Sequence, residues 1–383
     1  MVRRTIFDID DSYEVFRKSV AEFLKREVAP FHSQWEEDGI VPREIWAKAG
    51  QMGLLCCEVD ETYGGLGGTF LHSTIVMEEL LKSGATGLAF AVHSDVVTPY
   101  LVSYGTEEQK QRWLPKMVTG EALVAVAMTE PSGGSDLAAL RTTARRVGNN
   151  FVINGQKVFI TNAQYADLFV VAVKTDPDAP RGKGISLVLV ERDREGLSVG
   201  KPLKKIGYKA SDTSEVFFDN VEVPVENLLG EEGRGFSQLV SQLAQERLTQ
   251  GIRATAMAQA ALDMTIEHVT SRDMFQKKLS DMQNTQFTLA ELHSDIQLNQ
   301  VFVDRCIEML MEGTLSVEDA AICKLQSTEM LGRVADECLQ LFGGWGYMLE
   351  YPIAHIFVDA RMARIAGGSV ETMKQIIGRS LVS

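Results

Sequence analysis

The sequence is poor in cysteine, basic excess and long apolar runs, and each shortage excludes something. Five cysteines, Cys56, Cys57, Cys306, Cys323 and Cys338, form an odd set with one adjacent pair. Their spacing matches neither a structural metal site nor a disulfide framework, so no metal is expected and a reducing compartment fits. Lysine and arginine number 38 against 52 acidic residues, a formal charge of -14. A chain this acidic has no general affinity for nucleic acid or anionic membranes, both of which need a positive surface. No segment reaches membrane-spanning length, so membrane insertion is not expected. Arg3 and Arg4 are followed at once by Asp8, Asp10 and Asp11, which breaks any signal-peptide pattern. The expectation is a soluble, cytoplasmic protein, or a matrix protein if a leader has been removed. Tandem repeats and low-complexity linkers are also missing.

What the sequence does contain is a change of period. In residues 11–28 the apolar positions Phe16, Val20, Phe23 and Leu24 follow helical spacing, with Pro30 just beyond. Further helices are expected over 42–52, 71–83 and 107–119. From about 121 to 225 the period becomes two, and β-branched residues cluster at 151–160, 169–173, 185–190 and 215–218. Short strands without intervening helices predict an antiparallel barrel or sandwich and disfavour an alternating dinucleotide-binding sheet. After Gly235 helices return. Leu289, Leu292, Ile296, Asn299, Val303, Cys306 and Leu310 form a stripe expected to lie in a bundle core, with Asn299 fixing register. The fold class is therefore α+β: a helical domain (1–120), a β domain (121–230) and a carboxyl-terminal four-helix bundle (231–383).

At the first boundary stands Val126-Ala-Met128-Thr129-Glu130-Pro131-Ser-Gly133-Gly134-Ser135-Asp136. A strand ending in a proline turn and then glycines brings main-chain amides close to a bulky ligand or anion. Taken alone it is also an ordinary turn. A second run, Gln340-Leu-Phe-Gly343-Gly344-Trp345-Gly346-Tyr347, continues through Glu350-Tyr351-Pro352 to Asp359-Ala-Arg361. Together, in a helix–strand–helix order, these two runs resemble the signatures of the acyl-CoA dehydrogenase family, and the likeness extends from Arg3 to Arg379.

The resemblance implies an FAD enzyme that converts a saturated acyl-CoA thioester to a trans-2-enoyl-CoA. Such a reaction needs a carboxylate by the α-carbon, a hydride acceptor by the β-carbon and donors on the thioester oxygen. By the same resemblance Val126, Met128 and Thr129 lie along the flavin ring. Gly134 and Ser135 contact its phosphate side, and Ser135 also meets the pantetheine arm. Phe159, Ile160 and Thr161 form the second flavin segment. Arg272, Phe275 and Gln283 match residues that reach the FAD of a neighbouring subunit. Gln340, Gly343 and Gly344 match the adenine side, and Ser369 and Glu371 match positions closing over the cofactor. A homotetramer built as a pair of dimers, passing electrons to an electron-transferring flavoprotein, is implied as well. Around Phe275 the family pattern has threonine before and glycine after, whereas Met274 and Gln276 stand here.

The base is where the sequence departs most. Many members carry it in a Tyr-Glu-Gly-Thr run, but the matching residues are Ala366-Gly367-Gly368-Ser369, without a carboxylate. Long-chain and isovaleryl-type members carry it on an earlier helix, directly before an arginine. Glu246-Arg247 is that pair here, so Glu246 is expected to be the base. Arg247 is expected near the CoA entrance, and the Gly367 amide at the thioester oxygen. His355, where arginine or lysine is usual, and Lys209, where arginine is usual, receive no role. A medium or long acyl chain is expected, with a branched short chain as the alternative. A flavin oxidase or monooxygenase on the same scaffold, and a non-catalytic flavoprotein, are the other classes. Direct reoxidation by oxygen would mark the oxidase, and failure to hold FAD the non-catalytic protein.

Overall fold

The computed structural model describes residues 4–8 and 10–382; Arg3 lies outside the described residues. The first α-helices are α1 (Ser12–Glu27), α2 (His32–Asp38), α3 (Arg43–Gln51) and α4 (Phe70–Lys82). A π-helical turn, Val92–Val97, leads into α5 (Thr98–Tyr104), and α6 (Glu107–Val118) follows. Helix α1 forms because Val20, Phe23 and Leu24 fall on one face, which is buried against α4. Helix α6 starts at a capping box in which Thr106 and Gln109 satisfy each other's main chain. Helices α2 and α5 were not expected from the sequence. Each has only seven residues, too few to show a period, and α2 stops at Gly39, whose φ of +75° ends a helix cheaply.

The middle of the chain is one eight-stranded sheet. Its strands are β1 (Leu123–Ala127), β2 (Thr143–Val147), β3 (Asn150–Thr161), β4 (Ala166–Lys174), β5 (Ile185–Glu191), β6 (Leu197–Val199), β7 (Thr213–Pro224) and β8 (Leu228–Leu229). The order is β6-β7-β3-β2-β4-β5-β8, with β1 added to β4. Most pairings are antiparallel; β1 runs parallel to β4 from Leu123↔Ala166 to Ala127↔Val171, and β2 meets β4 in parallel at Thr143↔Lys174. The period of two decides which core each side chain joins. Leu168, Val170 and Ala172 of β4 face the helical core, while Phe169, Val171 and Val173 face the interior of the sheet. Both faces of the central strands are thus buried, which explains why every position of β5 is buried and its centre, Leu187 to Val190, is wholly apolar.

Helix α7 (Gly235–Ser271) is followed by a two-stranded hairpin of β9 (Asp273–Met274) and β10 (Lys277–Lys278). Then come α8 (Gln283–Met311), α9 (Val317–Phe342), α10 (Pro352–Ala363) and α11 (Val370–Val382). The α8 stripe is in the bundle core, with Leu292, Ile296, Val303 and Cys306 buried. Asn299 ties three helices: its Nδ2 donates to Thr255 Oγ1 on α7 (2.6 Å) and Ser327 Oγ on α9 (3.1 Å). Helices α7 and α9 touch at Gly251, where a Cβ would stand 2.6 Å from Cys323 Sγ, so only glycine permits that approach.

Candidate active site

The turn after β1 is held by a buried ion pair. Lys157 and Glu130 side chains are 0% and 4% exposed, and Lys157 Nζ lies 2.8 Å from Glu130 Oε1. The same ammonium donates to the Met128 carbonyl at 3.1 Å, while Glu130 accepts the amides of Arg141 (2.6 Å) and Thr142 (2.9 Å). These bonds leave the loop no freedom to swing from β3. The Val158 amide donates to the Thr129 carbonyl at 2.9 Å, which joins the two expected flavin segments into one surface. Val126, Met128, Thr129 and Thr161 are half-buried on it, Ile160 is buried beneath it, and Gly134 and Ser135 are exposed at its rim. A side chain at 134 would meet Thr129 Cγ2 at 3.2 Å, so glycine keeps that rim open. Phe159 is 65% exposed at φ +60°, an uncommon conformation for a bulky residue and a usual mark of a functional constraint.

Glu246 lies on α7 with Oε2 sealed from solvent and no hydrogen-bond partner among the described residues; Arg247 Nε and Tyr100 Oη are in the same condition. Burial raises the Glu246 pKa, against the opposing pull of Arg247. Glu246 in turn pushes the buried Tyr100 phenol up, second to the burial of that phenol itself, which puts the two groups in one electrostatic environment. Unpaired buried polar atoms are rare and costly, and three together mark a place built for a ligand. Gly367 closes the same place from the other end of the chain: a Cβ built there would be 3.9 Å from Glu246 Oε1 and 3.1 Å from Gln250 Cγ. The expected base and the glycine at position 367 therefore converge on one point. Gly367 and Gly368 have φ of +65° and +94°, and Lys324 Nζ donates to the Gly368 carbonyl.

A third group of residues meets at the far end of the bundle. A cavity of about 590 Å³ is lined by Arg272, Gln340, Gly343 and Gly344 together with His268 and Trp345. Arg272 terminates α7, its amide bonded to the His268 carbonyl, and His268 stacks on Phe342 at 4.1 Å. Nothing lies within 4 Å of a Cβ built at Gly343 or Gly344, so the space over them is open. Phe275 is 85% exposed at the tip of the β9–β10 hairpin, and Gln283 is exposed at the start of α8; neither lines the cavity. Gln276 has φ +62°, which accounts physically for the glycine that is usual there. Ser369 caps α11 by accepting the Thr372 amide at 3.3 Å, and Glu371 is exposed in its first turn. His355 is paired with Glu36 at 3.0 Å, and Lys209 also faces Glu36 electrostatically, so both belong to a structural cluster.

Sequence reasoning missed Lys157, Glu130 and Tyr100 as organising groups, and Lys324 as the partner of Gly368. A lysine in the strand run Gln156-Lys157-Val158, or on the buried Ala320-Lys324-Thr328 face of α9, was a signal open to reading.

Family models match the chain in three consecutive pieces: the acyl-CoA dehydrogenase N-terminal domain over residues 10–121, the middle domain over 125–221 and the C-terminal domain over 233–382. The chain belongs to the acyl-CoA dehydrogenase family. Its members are oxidoreductases acting on CH–CH donors, and this acyl-CoA dehydrogenase has the family's helical ends and central sheet domain. It is 43% identical to the mitochondrial long-chain specific acyl-CoA dehydrogenase of Rattus norvegicus over 99% of this chain and 88% of that one. It is 36% identical to the isovaleryl-CoA dehydrogenase of Solanum tuberosum, covering 97% and 91%. The crystal structure of an acyl-CoA dehydrogenase from Geobacillus kaustophilus superimposes with a TM-score of 0.96 at 48% identity, covering 98% and 99%. An acyl-CoA dehydrogenase of Bacillus anthracis, solved complexed with FAD, gives a TM-score of 0.91 at 29% identity, covering 98% of this chain and 68% of that one.

Proposed function

We propose that the protein uses FAD to dehydrogenate the α,β-bond of a saturated acyl-CoA thioester, with Glu246 as the base. The observation that carries this is Glu246 Oε2, sealed from solvent and without a partner among the described residues, on a side chain that lies beside Gly367. Burial holds its pKa above the ordinary carboxylate range, bringing base strength closer to what a thioester α-proton requires. With glycine at 367 no second side chain stands against the base. The Gly367 amide is assigned to the thioester oxygen, where a donor is worth most as enolate charge develops. Arg247 is assigned to the pantetheine or phosphate part of CoA.

The residues present fit FAD. The β-domain surface offers Thr129, Thr161 and the exposed Gly134–Ser135 turn to a polar ring edge and phosphate, with Val126, Met128, Phe159 and Ile160 supplying apolar contact. The Arg272–Gln340–Gly343–Gly344 cavity offers a forked cation to a pyrophosphate and open space over its glycines. Bound FAD supplies the hydride acceptor. In one protomer Glu246 and Arg272 are 26 residues apart on continuous helix, roughly 39 Å. That is far longer than an extended dinucleotide, which supports a site completed by Arg272, Phe275 and Gln283 of another subunit in a dimer-of-dimers homotetramer. Ser369 and Glu371 are placed over the cofactor.

The substrate is assigned as a medium or long straight acyl chain, supported by the higher identity to the long-chain relative than to the isovaleryl one. An electron-transferring flavoprotein is the proposed acceptor, and the cytoplasm or a matrix the proposed location. We assign domain limits of 1–120, 121–230 and 231–383. Anaerobic titration of the yellow protein with acyl-CoAs from butyryl to stearoyl, and with isovaleryl-CoA, tests the reading. Flavin bleaching strongest with the longer straight chains is expected. No bleaching by any thioester would overturn it, and rapid reoxidation by oxygen would indicate an oxidase.

A further inference from the structure

We infer that Lys324 is a positioning residue for the thioester-oxygen donor, its buried ammonium clamping the Gly368 carbonyl and so fixing the turn that carries the Gly367 amide. The inference rests on the reading of Glu246 as base and Gly367 as donor. Lys324 is wholly buried on α9, an unusual place for a lysine unless its three donors are spent. Nζ donates to the Gly368 carbonyl. That bond crosses from the bundle core to a turn in which two consecutive residues hold left-handed φ, +65° and +94°. A two-glycine turn of this kind has many alternative conformations, so its own sequence does not fix where the Gly367 amide points. The clamp acts one residue away from that amide, and the amide's residue stands 3.9 Å, measured from its built Cβ, from the Glu246 carboxylate.

The charges around Lys324 fit a clamp. Burial lowers its pKa to about 8, the Arg247 cation on α7 adds to that, and Glu371 of α11 and Glu329 of α9 oppose it. The ammonium thus stays largely charged at neutral pH, and a charged donor makes the stronger hydrogen bond.

The test compares wild type with Lys324→Met, Lys324→Gln and Lys324→Arg as FAD-loaded protein. Two quantities are read: the anaerobic rate of flavin reduction by octanoyl-CoA, and the flavin spectral change on binding 2-octenoyl-CoA or a thioether analogue lacking the carbonyl oxygen. Losing the clamp lets the donor drift, and a displacement of about 1 Å at a catalytic group costs on the order of 100-fold. The reduction rate is expected to fall 10- to 100-fold, roughly within that bound, in Lys324→Met and Lys324→Gln, with octenoyl-CoA affinity changed only a few-fold. Their octenoyl-CoA spectral change should shrink toward that of the thioether, and Lys324→Arg should restore part of both. Wild-type rate and spectrum in Lys324→Met would overturn the inference. Loss of folded, FAD-loaded protein in both the methionine and glutamine variants would place Lys324 in the core alone and overturn it equally. Wild-type enzyme that no acyl-CoA bleaches would instead refute the dehydrogenation reading itself.

Discussion

Lys157→Met removes the cation that neutralises Glu130 while nearly keeping the side chain's length. Both partners are buried, and Lys157 Nζ also holds the Met128 carbonyl, so the change uncovers an acceptor as well as a charge. Removing one member of a buried pair costs about 3–5 kcal/mol, because the other charge stays buried without compensation. Glu130 keeps the amides of Arg141 and Thr142, which puts the expected loss at the lower end, about 3 kcal/mol. In a multidomain cofactor protein a single unfolding free energy is poorly defined, so the temperature of flavin release is the better readout. At roughly 2–4 °C per kcal/mol for domains of this size, release should fall by about 6–12 °C. Adding Glu130→Gln should recover at least half of the loss, since a pair removed together leaves no orphaned charge.

The pH dependence gives the sign. In wild type the Glu130 pKa is held below the usual range, against its own burial, by the Lys157 hydrogen bond and charge and by the Thr142 amide. Its contribution is therefore present at neutral pH and lost as pH falls through the folded value. In Lys157→Met the buried carboxylate has a raised folded pKa, so its penalty is largest at high pH and shrinks on acidification. A fall in release temperature under about 2 °C, by the same conversion, would refute the reasoning. So would a deficit that widens at low pH, or a double variant less stable than the single.

Three further outcomes are expected. Because burial raises the Glu246 pKa and the base must be ionised, the acid limb of flavin reduction should lie above the ordinary glutamate value of 4.5. The same raised pKa contributes stability at low pH that is lost as pH rises through the folded value. A limb at or below 4.5 in the pH–rate profile would exclude Glu246. Gly367→Glu should not create a better enzyme: its φ of +65° costs a side chain about 1–2 kcal/mol, and a second carboxylate beside Glu246 raises one of the two pKa values. Turnover at neutral pH should drop and its acid limb move upward; an unchanged profile would contradict the shared position. Asn299→Leu leaves Thr255 and Ser327 without their shared partner and should cost about 1–3 kcal/mol in thermal unfolding, with flavin content unchanged.

Much of this was legible in the chain because burial writes a period. The α8 stripe and the alternation of β4 are direct records of which side faces a core, and the bundle and sheet follow from them. The proposal for Glu246 came from substitution logic, since a glycine at 367 leaves the expected reaction without a carboxylate unless another segment supplies one. The convergence of the two segments was not legible: 121 residues separate Glu246 from Gly367, and only the packed bundle brings them to one point. The π-helical turn at Val92–Val97 and the burial of Tyr100 are not legible in the local sequence. The turn and α5, which carries Tyr100, both pack against α7, a contact that local spacing does not record. For Lys157 and Lys324 the sequence offers a position on an apolar strand or helix face, but the partners that spend their charge are seen only in the fold.

The most direct test of the assigned chemistry is anaerobic mixing of FAD-loaded Glu246→Gln with the acyl-CoA that bleaches wild type fastest. The amide keeps the side chain's shape and cannot take a proton. Bleaching should disappear while FAD and thioester both remain bound, seen as a retained spectral change on adding the corresponding enoyl-CoA. Bleaching at the wild-type rate in that variant would mean that the α-proton goes to some other group, and that Glu246 is not the base.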